Sequence, residues 1–211
     1  EILGGGETQS ASARAMCAQP DFTDSANRVT WAADGFRRLG YEQPYGFQPH
    51  NGYVKAGDVR WVLEYPGSTG FYIACHGNNA GRGIHELYGE INDTGIRPDL
   101  RQWKIPANTV DEIFHFVFLD ACLSSNVSCI DSWLTAFHIG GYDSDTAFVG
   151  WNIKVDTGVA ADFCRRFWSR VNSYTIYDCV IMSLKEGREI YGVGCNPGFA
   201  GDTGYYGRAW L

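Results

Sequence analysis

The sequence predicts a layered α/β fold with a mostly parallel sheet, and three observations predict it. Short apolar runs at 71–75, 113–119 and 146–151 alternate with segments of helical period, the order that builds βαβ units. The run 113–119 is too continuous to leave one face wet, as a strand covered on both sides requires. No linker, repeat or break in composition divides the 211 residues, a length that fits one domain (1–211) with its own core.

Residues 1–20 are small and polar, with Gly4-Gly5-Gly6, and read as a poorly structured N-terminal segment, Ile2 and Leu3 as a candidate short strand and the rest as loop or weak helix. Asp24 or Ser25 can cap a helix that runs to Leu39, with Val29, Ala32, Ala33, Phe36 and Leu39 on one face and Gly40 ending it. Residues 41–53, aromatic and punctuated by proline, read as a strand with irregular edges. Residues 58–64 read as a short helix or strand, with Val59, Val62 and Leu63 fitting a helical face slightly better, and Pro66-Gly67 stops it. The strand 71–75 delivers His76-Gly77 at its end. A glycine-rich loop follows, then hairpin-like material over 84–91 and a loop-rich stretch over 92–108. The strand 113–119 delivers Asp120-Ala121-Cys122. A helix over 129–139 closes at Gly140-Gly141, and 146–151 is another buried strand. Two helices follow, at 155–171 and at 176–185 with Gly187 closing the second. The first carries Val155, Val159, Phe163, Phe167 and Val171 on one face, and Arg165, Arg166 and Arg170 read as its exposed side. Residues 204–211 read as a final strand.

Composition excludes whole classes. Apolar residues make up 45% and charged residues 19%, which excludes wholesale disorder. A net charge of -7 with no Lys/Arg run argues against nucleic acid as a partner. The longest apolar stretch is far short of the roughly 20 residues that span a bilayer. Gly81-Arg82-Gly83 lacks the Gly-Lys-Ser/Thr of a phosphate cradle, and no acidic loop has EF-hand spacing.

Seven cysteines (17, 75, 122, 129, 164, 179 and 195) show no C-x-x-C spacing, against zinc ribbons and thioredoxin-like motifs. The odd count suggests one thiol kept for chemistry and six available for disulfides. Sequons at Asn92 and Asn126 add glycosylation sites. Together with a chain that opens at Glu1, these features lead us to expect a secreted or cell-surface glycoprotein.

Sites in open α/β sheets form outside the carboxyl ends of the strands. Two apolar runs end in reactive residues, His76-Gly77 and Ala121-Cys122. On parallel neighbouring strands, the imidazole and the thiol would emerge on one edge as a Cys/His nucleophilic pair. The N–H of Gly77, with no side chain in the way, and that of Cys122 would then bind a developing oxyanion. A zinc site from Cys75, His76, His85 and Cys122 is the weaker reading, since adjacent ligands chelate poorly. His115 reads as a core residue and His138 as a helix cap.

The pair of motifs, 71–77 (FYIACHG) and 116–122 (FVFLDAC), 46 residues from His to Cys, resembles the caspase-like cysteine peptidases, nearest to their clostripain, gingipain and legumain branches. The resemblance covers 56–187, and Leu123-Ser124 after the cysteine departs from caspases proper. It implies a three-layer α/β/α sandwich and a cysteine endopeptidase without cofactor or metal, with a peptide or protein as substrate. His76 and Cys122 would be catalytic. Asp120 would shape the P1 pocket and favour Arg or Lys, with Asp143 and Asp145 as further candidate acids. The alternative is a catalytically silent caspase-like domain that serves as an extracellular structural, self-assembling or binding subunit, with a second copy of itself as a candidate partner.

Overall fold

A computed structural model describes residues 13–19, 28–42, 50–51, 67–77, 83–86, 89–92, 114–140 and 144–209. The expected elements at 1–12, 20–27, 58–64 and 93–108 lie outside the described residues. A six-stranded sheet runs in the order β2-β1-β3-β7-β8-β9. Its strands are β1 (Arg14–Gln19), β2 (His50–Asn51), β3 (Ser68–Ala74), β7 (Phe116–Asp120), β8 (Ala147–Trp151) and β9 (Pro197–Gly201). All neighbours are parallel except β9, which runs antiparallel to β8. A small antiparallel sheet of β4 (His76–Gly77), β5 (Gly83–Glu86) and β6 (Gly89–Asn92) continues the chain from β3.

Strand alternation splits the core into two clusters, one on each face of the sheet. Tyr72, Phe116, Phe118, Val149 and Trp151 face the helices α1 (Arg28–Arg38), α3 (Thr157–Arg170) and α4 (Ile176–Tyr191). Phe71, Ile73, Val117, Leu119 and Phe148 face α2 (Ile130–Phe137). This is the α/β/α sandwich expected. The larger side is aromatic: Trp168 packs against Phe36, Tyr72, Phe116 and Phe118 at centroid distances of 5.2 to 6.2 Å. Each such ring is worth about 1.5–3 kcal/mol of burial, and Trp168 is admitted because Gly35 of α1 leaves its six-membered ring room that a Cβ would fill.

Several boundaries differ from the sequence reading, each for a local reason. The segment of β1 reads from sequence as loop or weak helix; its residues, Arg-Ala-Met-Cys-Ala-Gln, have weak strand propensity, but it is paired on both sides, by β2 and β3. α4 runs through Gly187 to Tyr191. That glycine serves packing: a Cβ there would lie 2.5 Å from Cys195 Sγ. α2 stops not at the glycine pair but at His138, whose N–H meets the carbonyls of Leu134 and Thr135 and whose left-handed backbone (φ 55°) turns the Ile139 N–H back onto the Leu134 carbonyl (2.9 Å). The expected strand at 204–211 is irregular among its described residues, and the last strand is β9 instead. Arg166 and Arg170 are not an idle exposed face: both bind Glu186 of α4, at 2.7 and 2.6 Å, and clamp the two helices together.

Candidate active site

β3 and β7 are adjacent and parallel, with Ala74 opposite Asp120. The N–H of Cys75 still donates to the carbonyl of Asp120 (3.2 Å), so the register holds to the last step before the strands part. His76 and Cys122 therefore follow their strands by the same two residues and leave the sheet at the same carboxyl edge. The backbones of Gly77 and Cys122 then touch. A Cβ on Gly77 would overlap the carbonyl oxygen of Cys122 and come within 3.0 Å of its nitrogen. The φ of Gly77 is not positive, so close approach, and not a left-handed turn, is what requires glycine here.

His76 is exposed and Cys122 half-buried, the exposure a reacting pair needs. After Cys122 the chain turns sharply through Leu123, a non-glycine residue at φ 64°. That turn is bolted to β8 and its continuation. Ser124 Oγ donates to the Leu119 carbonyl (2.7 Å) and accepts from the Trp151 N–H (3.1 Å), and the N–H groups of Ser125 and Leu123 donate to the carbonyls of Trp151 and Ile153. Gly150 of β8 and Gly198 of β9 make room for the two serines. Val155, two residues before α3, touches the sulfur itself: its N–H donates to Cys122 Sγ at 3.4 Å, and its carbonyl lies 3.7 Å from Sγ. Ser124, Ser125 and Val155 were not read as site residues from sequence, Val155 being placed on the apolar face of a helix that in fact begins at Thr157. The glycine in the middle of β8 was the signal for the serines, and nothing local marked Val155.

The acids expected to bind substrate are placed differently. The side chain of Asp120 is fully buried on the α1/α3 face. Its Oδ1 accepts from Trp151 Nε1 (2.8 Å), and its Oδ2 from an Arg28 guanidinium N–H (2.7 Å), the Tyr72 hydroxyl (3.0 Å) and Cys164 Sγ (3.3 Å). It is no wall of a P1 pocket. Burial and the nearby Asp120 charge push the Tyr72 hydroxyl and the Cys164 thiol well above their usual ranges. Asp145 lies before β8, at the amino edge of the parallel strands, where its carbonyl meets His115 Nδ1 at 3.4 Å. That is the opposite end of the sheet from Cys122, a strand length of roughly 16 Å at ~3.3 Å per residue. His115 is partly exposed there, not a core residue. Asp143 lies outside the described residues.

None of the seven cysteines, all of them among the described residues, is joined in a disulfide, so the six thiols expected to be available for bridges are not bridged here. Cys129 gives its thiol to the carbonyls of Leu123, Ser124 and Asn126, so it braces the turn and does not bridge Cys122. Cys75 is buried in the α2-side core. Among the described residues no three His, Cys, Asp or Glu side chains converge as a metal site would require. Asn126 spends its amide inside the fold. Nδ2 donates to the Asn152 carbonyl (3.1 Å), and Oδ1 accepts from the Ser128 N–H (3.1 Å) and hydroxyl (2.9 Å). Asn92 ends β6, and its side chain lies outside the described residues. No helix among the described residues is long and apolar enough to cross a membrane.

No protein-family model matches the chain, and no curated protein sequence matches it. Solved structures do. A complex of the pro- and mature domains of RgpB from Porphyromonas gingivalis superposes with a TM-score of 0.58 at 12% identity, over 93% of this chain and 48% of that one. The Arg-specific cysteine proteinase gingipain R (RgpB) gives 0.59 at 11%, over 92% and 46%. Separase, from the Saccharomyces cerevisiae separase–securin complex, gives 0.54 at 14%, over 91% of this chain and 12% of its own. The chain thus spans about half the length of the gingipain chains it resembles. Strand order, register and these likenesses agree: the chain is built on the caspase-like fold.

Proposed function

We propose that the chain is a cysteine endopeptidase in which Cys122 is the nucleophile and His76 the general acid and base. The observation that carries this reading is the β3–β7 register, Ala74 opposite Asp120, which sends both residues out of one sheet edge two positions later. The thiol is unbridged and half-buried, as a nucleophile must be.

The chemistry follows from the parts. His76 takes the Cys122 thiol proton, and the resulting thiolate attacks the scissile carbonyl carbon as the carbonyl's electron pair moves onto oxygen. The backbone N–H groups of Gly77 and Cys122 receive that oxyanion. Collapse breaks the C–N bond as His76 gives a proton to the leaving amine, leaving a thioester. A water that loses its proton to His76 then attacks the thioester, releases the acid and restores Cys122. The Val155 N–H holds the sulfur in place throughout. Neither half of the cycle calls for a metal or cofactor. Arg or Lys at P1 is the first choice of probe, because Arg names the specificity of the structural neighbour gingipain R and Asp143 remains as a candidate acid.

The test is intact-protein mass after treatment with an Arg or Lys peptidyl acyloxymethyl ketone, with Cys122→Ala beside the native chain. One adduct on the native chain and none on the variant is the expected result. If folded, reduced protein gains no adduct from Arg, Lys, Asp or Asn reagents, the chain is the silent scaffold of the alternative reading.

A further inference from the structure

We propose that Asp120 is a positioning residue for the Cys122–His76 pair, acting with Arg28 as a buried clamp and touching no substrate. The proposal rests on the peptidase reading of Cys122. It explains why a carboxylate stands two residues before the nucleophile with its side chain shut away from solvent.

Asp120 gathers partners from four elements that converge on the site. Arg28 opens α1, Tyr72 lies on β3, Trp151 ends β8 and Cys164 belongs to α3, and all four side chains are buried. Three of these elements, β3, β8 and α3, together with the strand of Asp120 itself, lead directly to the reacting groups. β3 continues through Cys75 to His76; the chain from β8 to α3 carries Val155, whose backbone touches Cys122 Sγ; and β7 itself continues to Cys122. The backbone of Asp120 adds a fifth tie, since its carbonyl takes the Cys75 N–H. One residue thus fastens the origin of the imidazole, the origin of the thiol and the segment that holds the sulfur.

Stability alone does not account for this arrangement. A buried ion pair is commonly replaceable by apolar side chains of similar volume with no loss of stability, because both charges give up hydration on folding. The clamp instead specifies one geometry: a carboxylate satisfied by four directional donors permits a single relative placement of the strand ends, whereas an apolar contact permits sliding. Reacting groups tolerate little such sliding, a displacement of about 1 Å costing on the order of 100-fold in rate.

The experiment compares the native chain with Asp120→Asn and with the charge-free pair Arg28→Met/Asp120→Leu. Near-ultraviolet circular dichroism and thermal melting establish that each is folded. The expected result is a double variant that folds but melts lower, because the buried Trp151 and Tyr72 donors lose their acceptor, and that loses tenfold or more in kcat with KM changed less than about twofold. Asp120→Asn, which keeps the shape and loses the charge, falls between and serves if the double variant does not fold. A folded variant that keeps kcat within about threefold overturns the proposal. Failure of the peptidase reading is read separately, as absence of peptidyl ketone labelling on the native chain. In that case the readout is the rate of Cys122 alkylation by iodoacetamide against pH. A profile displaced in the variants sustains the positioning role, and superimposable profiles end it.

Discussion

Gly77 shows how tightly the site is specified at the scale of one residue. Its Cα is set against the backbone of Cys122, where rigid main-chain atoms and no flexible side chain would meet a Cβ. Gly77→Ala must therefore push the two strand ends apart. We predict a loss of about 1–3 kcal/mol in stability from the overpacking and 100-fold or more in kcat/KM, the two read by urea unfolding and by cleavage of a fluorogenic peptide. An alanine variant of near-native activity would show that the approach of the two backbones has no part in the reaction. His76, Gly77 and Cys122 were legible in the sequence because buried strands deliver their ends to an edge, and a reactive residue just past an apolar run is visible as such. Asp120 was misread although the signal was present. Strand alternation puts it on the same face as Phe116 and Phe118, hence in the core, two residues before the chain is free to turn outward. Asp145 was misread for a similar reason: it precedes its strand, and sites of this architecture form where strands end.

At the scale of the element, α3 contributes through the way it begins. Asp156 caps it, its carboxylate accepting the Gly158 N–H at 2.8 Å, and Val155 immediately before the cap is the residue that touches Cys122 Sγ. A loose cap therefore loosens the nucleophile. Asp156→Ala should cost about 1 kcal/mol by chemical denaturation, the usual worth of an N-cap. It should also slow labelling of Cys122 several-fold, although residue 156 does not touch the sulfur. Equal labelling rates in the two proteins would confine the cap to a structural role. Helices α1, α3 and α4 and strands β3, β7 and β8 were readable because their periods are long and strongly apolar. β1 was not, since its strand character comes from being sandwiched between two neighbours and not from its own residues. The end of α4 was not, because Gly187 looks like a stop until Cys195 is seen packed against it.

The whole molecule carries its polar groups in a way that sets its response to pH on both sides. On the acid side, burial raises the Asp162 carboxyl but hydrogen bonds from Arg166 and Arg165 more than reverse it, and Arg166 with Arg170 likewise holds Glu186 below its ordinary range. Folded values below the unfolded ones mean that this stabilisation is present above the unfolded carboxyl range and fades as pH falls through the folded one. Glu186 is too exposed for the effect to be large. The alkaline side is steeper. Burial pushes the thiols of Cys17, Cys164 and Cys195 up and that of Cys179 up to about 12, against 9.0 for a free thiol. The buried hydroxyls of Tyr41, Tyr72 and Tyr205 rise as well. Raised folded values mean stability that is complete below the unfolded value and lost as pH climbs from there, because the unfolded chain releases protons the folded chain keeps. Each such proton is worth about 1.4 kcal/mol per pH unit, so the three strongly shifted thiols, Cys17, Cys164 and Cys179, with a smaller part from Cys195, approach about 4–5 kcal/mol per unit above the free-thiol value. A domain of ordinary stability, roughly 5–15 kcal/mol, should then unfold within about one to three units. We predict a urea midpoint that is flat from pH 6 to 8 under reducing conditions and falls steeply above 9. Cys164→Ala should reduce that slope by about one proton, or 1.4 kcal/mol per unit, whatever it costs at neutral pH through the cavity it leaves. A midpoint that stays level to pH 10.5 would show that these thiols titrate alike in the folded and unfolded chain, and would overturn the burial on which the prediction stands.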